Sequence, residues 1–175
     1  MRTPTLRLGH AVLAGLGIAL ACVASCRGAT YAEWVASFGL SGDAAGMTAD
    51  PDGDGMPNLM EYAFDGLSPV ASNTSPTVIY VQYQLADNSW TALGGGQGAP
   101  PVGAKCYTVI RFKKRTAAVM LSYVPQASRD LNIWAWGSSA IEEWTDELGY
   151  TYARATGSAD VERKAFMRVK VRTLD

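Results

Sequence analysis

Histidine is almost missing from this chain of 175 residues: the single one, His10, lies in an apolar leader near the start. Without an imidazole in the body of the protein, Ser-His-Asp and Cys-His catalysis and histidine-ligated metal centres are excluded there. Cysteine is nearly as scarce. Cys22 and Cys26 sit in or beside the leader, so Cys106 stands alone and an internal disulfide framework is ruled out. After residue 24 no uncharged apolar run approaches the roughly 20 residues that a membrane-spanning helix needs. A phosphate-cradling loop is missing as well. Gly94-Gly-Gly-Gln-Gly98 lacks the Lys-Ser/Thr of a P-loop and the strand-to-helix setting of a dinucleotide site, and reads as a flexible loop. The last shortage is of one sign of charge: residues 30 to 104 hold 8 acidic residues and no Lys or Arg, whereas residues 105 to 175 hold 12 basic and 8 acidic ones. The basic half is too dilute to argue for nucleic acid, and its charges alternate along predicted strands as on a solvated face.

What is present begins with the leader. Arg2 and Arg7 precede an apolar stretch from Ala11 to Ala24 and then small residues, the pattern of a signal peptide over residues 1–28. The protein is therefore expected to be exported, whether secreted, periplasmic or on the cell surface. Two cleavage readings stay open. Val23-Ala24-Ser25-Cys26 resembles a bacterial lipobox, which would acylate Cys26 and attach the chain to the outer membrane; ordinary cleavage after Gly28 would release it.

The acidic half carries the most specific pattern. Asp50 to Glu61, Asp-Pro-Asp-Gly-Asp-Gly-Met-Pro-Asn-Leu-Met-Glu, meets D-x-[DN]-x-[DN]-G-x5-E without a departure. Ca²⁺ is a hard cation that takes six to eight oxygens, and alternating carboxylates can wrap it while a carboxylate at position 12 closes the far side. Asp50, Asp52, Asp54 and Glu61 fill those roles, the Met56 carbonyl adds a ligand at position 7, and Asn58 adds one at position 9, directly or through water. Gly55 sits where the chain must turn sharply. Pro57 has no N–H to give to a partner loop, so the site is expected to work singly. A solvated acidic turn is the bland alternative, but composition alone does not place five oxygen-bearing side chains and a glycine in register.

The loop resembles the single calcium loops of dockerins and thrombospondin type 3 repeats. The wider stretch from Tyr31-Ala-Glu-Trp34 through Gly39-Leu-Ser-Gly-Asp43 to Phe64 is similar to a segment recurring in secreted proteins of environmental Gram-negative bacteria. There it commonly precedes a C-terminal β module. Leu121-Ser-Tyr-Val-Pro-Gln-Ala-Ser128-Arg-Asp130-Leu131-Asn-Ile-Trp134 and Ala165-Phe-Met-Arg-Val-Lys-Val-Arg172 resemble that module's strand-Ser-x-Asp-Leu-Trp signature and its closing strand. The resemblance implies an accessory or surface module without an assigned biochemical role.

Thr30-Tyr-Ala-Glu33 has the form of a capping box, and Tyr31, Trp34, Val35 and Phe38 repeat at helical spacing, which predicts a short helix ending before Gly39. A second helix is expected from Pro57 or Asn58 to about Phe64, with Trp34 and Phe38 packing on Tyr62 and Leu59. Residues 30–66 form the helical calcium segment, 67–76 a linker, and 77–175 a run of period-two strands. Strands are predicted from Ile79 to Leu85, Trp90 to Leu93, Cys106 to Phe112, Ala117 to Val124, Ile133 to Trp136, Tyr150 to Ala153 and Ala165 to Arg172. The fold class is mainly β, an antiparallel β-sandwich preceded by a small helix–calcium loop–helix segment.

Little chemistry is left for an enzyme. Glu142-Glu143 and Asp146-Glu147 offer paired carboxylates for glycoside hydrolysis, but the segment reads as an exposed loop or helical turn with a solvated acidic face. Trp134 and Trp136 share a face and are expected in the core, with a sugar-stacking platform as the other reading. The sequence therefore points to an exported, non-enzymatic calcium-binding structural or accessory protein. The alternative is a binding module for cell-surface polysaccharide or another surface component.

Overall fold

The computed structural model describes residues 28–93, 100–116, 120–158 and 165–174. The leader, with the signal-peptide and Cys26 readings, and the glycine-rich loop 94–99 lie outside them. Among the described residues no helix is long and apolar enough to cross a membrane.

Helix α1, Tyr31–Ser37, starts where the capping box predicts. The Glu33 amide donates to Thr30 Oγ1 at 3.3 Å and the Thr30 amide donates to Glu33 Oε2 at 2.8 Å, so two otherwise unpaired helix donors are satisfied. Trp34 and Val35 are buried, and the Trp34 ring packs on Phe38 at 5.2 Å and on Tyr62 at 5.4 Å. A single 3-10 turn, Gly42–Ala45, leads to the acidic loop. Helix α2, Asn58–Ala63, follows Pro57, whose missing N–H is no loss at a helix start. Leu59 stays half-buried, outside the aromatic cluster. Tyr31 takes the expected place, 5.5 Å from Tyr62, with its hydroxyl donating to the Ala45 carbonyl at 2.9 Å.

Six strands follow: β1 Thr77–Gln84, β2 Lys105–Lys113, β3 Leu121–Ser128, β4 Ile141–Thr145, β5 Tyr150–Ala155 and β6 Phe166–Thr173. They form a four-stranded antiparallel sheet in the order β1-β2-β5-β4 and a two-stranded antiparallel sheet β3-β6. The sheets pack face to face. Ile110, Ile141 and Ala153 of the larger meet Ala127, Met167 and Val169 of the smaller, and Phe112 meets Tyr123, Val169 and Val171. The architecture is the expected one: mainly β, a sandwich of antiparallel sheets with a small helical segment.

Several local expectations change. The return strand from Trp90 shrinks to one bridge, Gln84 with Trp90, and the Trp90 ring instead packs on Tyr107 at 4.9 Å on the outer face of the larger sheet. Ile133 to Trp136 likewise forms one bridge, Ala127 with Ala135. The Ala117 strand is seen only from Leu121, since residues 117–119 lie outside the described ones. Where a loop or helical turn was expected, Ile-Glu-Glu-Trp-Thr forms β4. This edge strand buries one residue fully, Ile141, and so carries too little apolar alternation to show in the sequence.

The boundary between helical segment and sandwich runs through a shared core. Ala63 and Phe64 are fully buried in one cluster with Phe112. Arg115, just beyond β2, donates from Nε to the Tyr62 carbonyl at 2.6 Å and from its amide to the Ala63 carbonyl at 2.9 Å. The Tyr123 hydroxyl donates to the Ala63 carbonyl as well. Two short helices cannot bury Phe64 by themselves, so α2 ends against the sheet.

Candidate metal site

Two glycines let the acidic loop close on itself. Gly53 at φ 74° and Gly55 at φ 89° adopt the left-handed region that a side chain would strain. The turns they make aim backbone amides at the carboxylates. Asp50 accepts from Gly53 at 3.0 Å and from Gly55 at 2.8 Å, Asp52 from the Asp54 amide at 3.2 Å, and Asp54 from the Met56 amide at 2.8 Å. Oxygens of Asp50, Asp52 and Asp54 come within 4.8 Å of one another.

Asn58 and Glu61 enter from the first turn of α2, and both have 0% exposure. Asn58 Nδ2 donates to the carbonyls of Ala44 at 2.8 Å and Gly46 at 2.9 Å, which fixes the amide so that Oδ1 points away from that connector. Three buried oxygens, Asp52 Oδ2, Asn58 Oδ1 and Glu61 Oε2, have no hydrogen-bond partner among the described residues. A buried polar atom left unpaired costs about 1–3 kcal/mol, and a buried charge more. All three belong to the predicted ligand set. Met56 is half-buried behind Gly55, and its carbonyl accepts no hydrogen bond from the described residues.

The electrostatics are one-sided. Burial, then the fields of Asp52, Asp54 and Asp50, push the Glu61 carboxyl up to about 7. The neighbouring cation Arg115 donates to the backbone carbonyls of Glu61, Tyr62 and Phe64, which leaves the carboxylates uncompensated. The donor set is all oxygen and mostly anionic, the chemistry that suits a hard divalent cation of calcium's kind. The residues present therefore fit the ion.

Asn73 is the participant that the sequence reading passed over. It lies in the stretch 67–76, where Asn73-Thr-Ser75 has only a chance glycosylation spacing, yet its Nδ2 donates to Glu61 Oε1 at 2.6 Å and to the Ser68 carbonyl at 2.8 Å. Its amide donates to Asp54 Oδ2 at 2.6 Å, and that bond is the first cause holding Asp54 below the usual carboxylate range. This stretch is a strap across the acidic loop. A sixth polar residue outside a twelve-residue pattern gives no spacing signal, and only the turn at Ser68, whose amide donates to Asn73 Oδ1 at 3.1 Å, brings it back.

The other candidates disperse. Glu142 and Glu143 are consecutive strand residues and face opposite ways, one toward Arg154 at 2.6 Å and the other toward Lys114 at 4.0 Å. Asp146 is held in its own turn, accepting from Leu148 at 3.0 Å, Tyr150 at 2.9 Å and the Tyr152 hydroxyl at 2.9 Å. Trp134 and Trp136 are not core residues. Because Ala135 pairs with the inward-facing Ala127, both indoles turn outward. Trp136 is 64% exposed, and the Arg168 guanidinium covers Trp134 at 3.9 Å. Comparison with family models, with curated proteins and with solved structures finds no match for this chain.

Proposed function

We propose that this is an exported, non-enzymatic protein whose single Ca²⁺ fixes the loop from Asp50 to Glu61 and, through it, the join between the helices and the sandwich. Asp50, Asp52, Asp54, the Met56 carbonyl, Asn58 and Glu61 hold the ion. Asn73 orients Glu61 and Asp54 from the strap. The observation that carries this reading is that Asp52, Asn58 and Glu61 each bury an oxygen that no donor among the described residues meets. Calcium's role is structural: it screens four carboxylates that repel one another and ties the loop to α2, whose end lies in the shared core.

Thermal melts of the chain from Gly28 onward, with calcium and with chelator, test the reading. At a free concentration of about 100 Kd the ion should add roughly 2.7 kcal/mol, a rise of several degrees for a domain of this size. Superimposable melts would rule it out. The second reading, a carbohydrate-binding module, draws on the exposed Trp136. It lacks a twin stacking platform, since Arg168 already occupies a face of Trp134. Screening the same chain against surface glycans would detect it.

A further inference from the structure

We infer that the outer face of the β3–β6 sheet, together with the turn before residue 137, docks on an anionic phospholipid bilayer. The register sets Arg172 beside Ser122, Lys170 beside Val124 and Arg168 beside Gln126. The intervening residues Met167, Val169 and Val171 pack into the core, so all three cations face outward, and all three are exposed. They recur every second residue, about 7 Å apart along the strand. Neither β3 nor β6 contains an acidic residue, and among the described residues none of the three cations forms an ion pair. Among the described residues, a chain of formal net charge −1 thus presents a positive row without acidic partners on one face.

At the Arg168 end of this row, next to Trp134, stand apolar side chains left exposed among the described residues. Trp136 is 64% exposed and Leu131 55%, whereas Ile133 points with Ala135 toward the other side of the turn. They are not fraying ends. Asp130 Oδ1 accepts from the Asn132 amide at 2.8 Å and the Ile133 amide at 2.9 Å, and Ser128 Oγ accepts from the Leu131 amide at 2.9 Å. Leu131 is held at φ 64°, a conformation that a bulky residue adopts only when its surroundings impose it. Trp134 Nε1 donates to the Leu131 carbonyl at 3.0 Å, locking the indole across the turn.

The mixture decides the occupant. Cations beside a tryptophan and an exposed leucine are what an interfacial segment uses: the charges meet lipid phosphates, the indole sits at headgroup level and the leucine enters the acyl boundary. A polysaccharide groove would need open aromatic faces side by side, whereas Arg168 covers Trp134, which leaves Trp136 without a second ring, and Leu131 cannot stack. Nucleic acid would ask for the same open rings.

The inference is independent of the calcium reading, and its test keeps the two apart. The chain from Gly28 onward, which contains every described residue and lacks the apolar leader, is sedimented with phosphatidylglycerol/phosphatidylcholine vesicles and with phosphatidylcholine alone. Binding to the anionic vesicles, weakened at about 0.5 M salt where screening falls to a few ångströms, is expected. The double variant Lys170→Gln/Arg172→Gln should reduce partitioning about tenfold, and Trp136→Ala and Leu131→Asn should each reduce it severalfold, all with unchanged melts. Glu61→Gln should leave it intact. No binding to anionic vesicles, equal binding to the zwitterionic ones, no effect of the double variant, or equally tight binding of soluble dextran sulfate would each overturn the assignment.

Discussion

Two clusters of buried polar groups in this molecule solve the same problem in opposite ways. On the outer face of the four-stranded sheet, Arg154 is 8% exposed, yet its guanidinium donates to Gln82 Oε1 at 2.8 Å and Glu142 Oε2 at 2.6 Å and lies 3.5 Å over the Trp90 ring. Gln82 in turn donates to the Thr91 carbonyl at 2.9 Å. There the chain supplies both signs of charge, and the main polar groups of the cluster find one another. In the loop from Asp50 to Glu61 it supplies one sign, and three buried oxygens have no partner among the described residues. A cluster that is complete in itself is structural. For the incomplete one, the proposed complement is an ion from outside the chain.

The sharpest way to break this contrast is Glu61→Gln. It relieves repulsion, so in chelator the variant should be at least as stable as the parent, but it removes the closing carboxylate. Melts should show most of the calcium-induced stabilisation, about 2.7 kcal/mol at 100 Kd, to be gone. Arg154→Ala attacks the other cluster. It leaves Gln82 and the Trp90 ring without their partner, and urea unfolding should show a loss of about 2 kcal/mol, moderated because Glu142 can turn to water. Its calcium response should be unchanged, which separates the two clusters.

A finer probe is Asn73→Ala, which deletes the side-chain bond to Glu61 Oε1 while keeping the backbone bond to Asp54. Losing an outer partner that orients a ligand should weaken calcium binding about tenfold by titration, and because the same side chain exchanges two hydrogen bonds with Ser68, the chelated protein should also lose about 1–2 kcal/mol. The smallest effect belongs to Asp87→Asn. Asp87 accepts only from Ser89 in an exposed turn, and both its stability and its calcium response should stay within about 0.5 kcal/mol of the parent. A calcium response as damaged as that of Glu61→Gln would dissolve the distinction between loop and surface carboxylates.

How much of this was readable beforehand follows from the range of each signal. The capping box at Thr30 and the start of α2 after Pro57 are local patterns, and they stand where the sequence puts them. The alternation of Met167, Val169 and Val171 against Arg168, Lys170 and Arg172 is legible because one face of β6 is solvated. β2 shows the opposite case. Tyr107 and Val109 are buried along with Ile110 and Phe112, because the Arg154 cluster covers the outer face, so its second buried set is invisible to a period-two reading. Asn73 escaped for a similar reason: its role comes from the path of the strap. The partition at residues 67–76 looked like a linker by composition, whereas the packing of Phe64 on Phe112 at 6.0 Å and the reach of Arg115 to the end of α2 are contacts between residues about 50 positions apart.

Calorimetric titration of calcium into the chain from Gly28 onward tests the central claim most directly. One ion should bind per chain, with a heat that disappears in Glu61→Gln and persists in Arg154→Ala. No heat, a stoichiometry of two, or an unaltered titration of Glu61→Gln would contradict it.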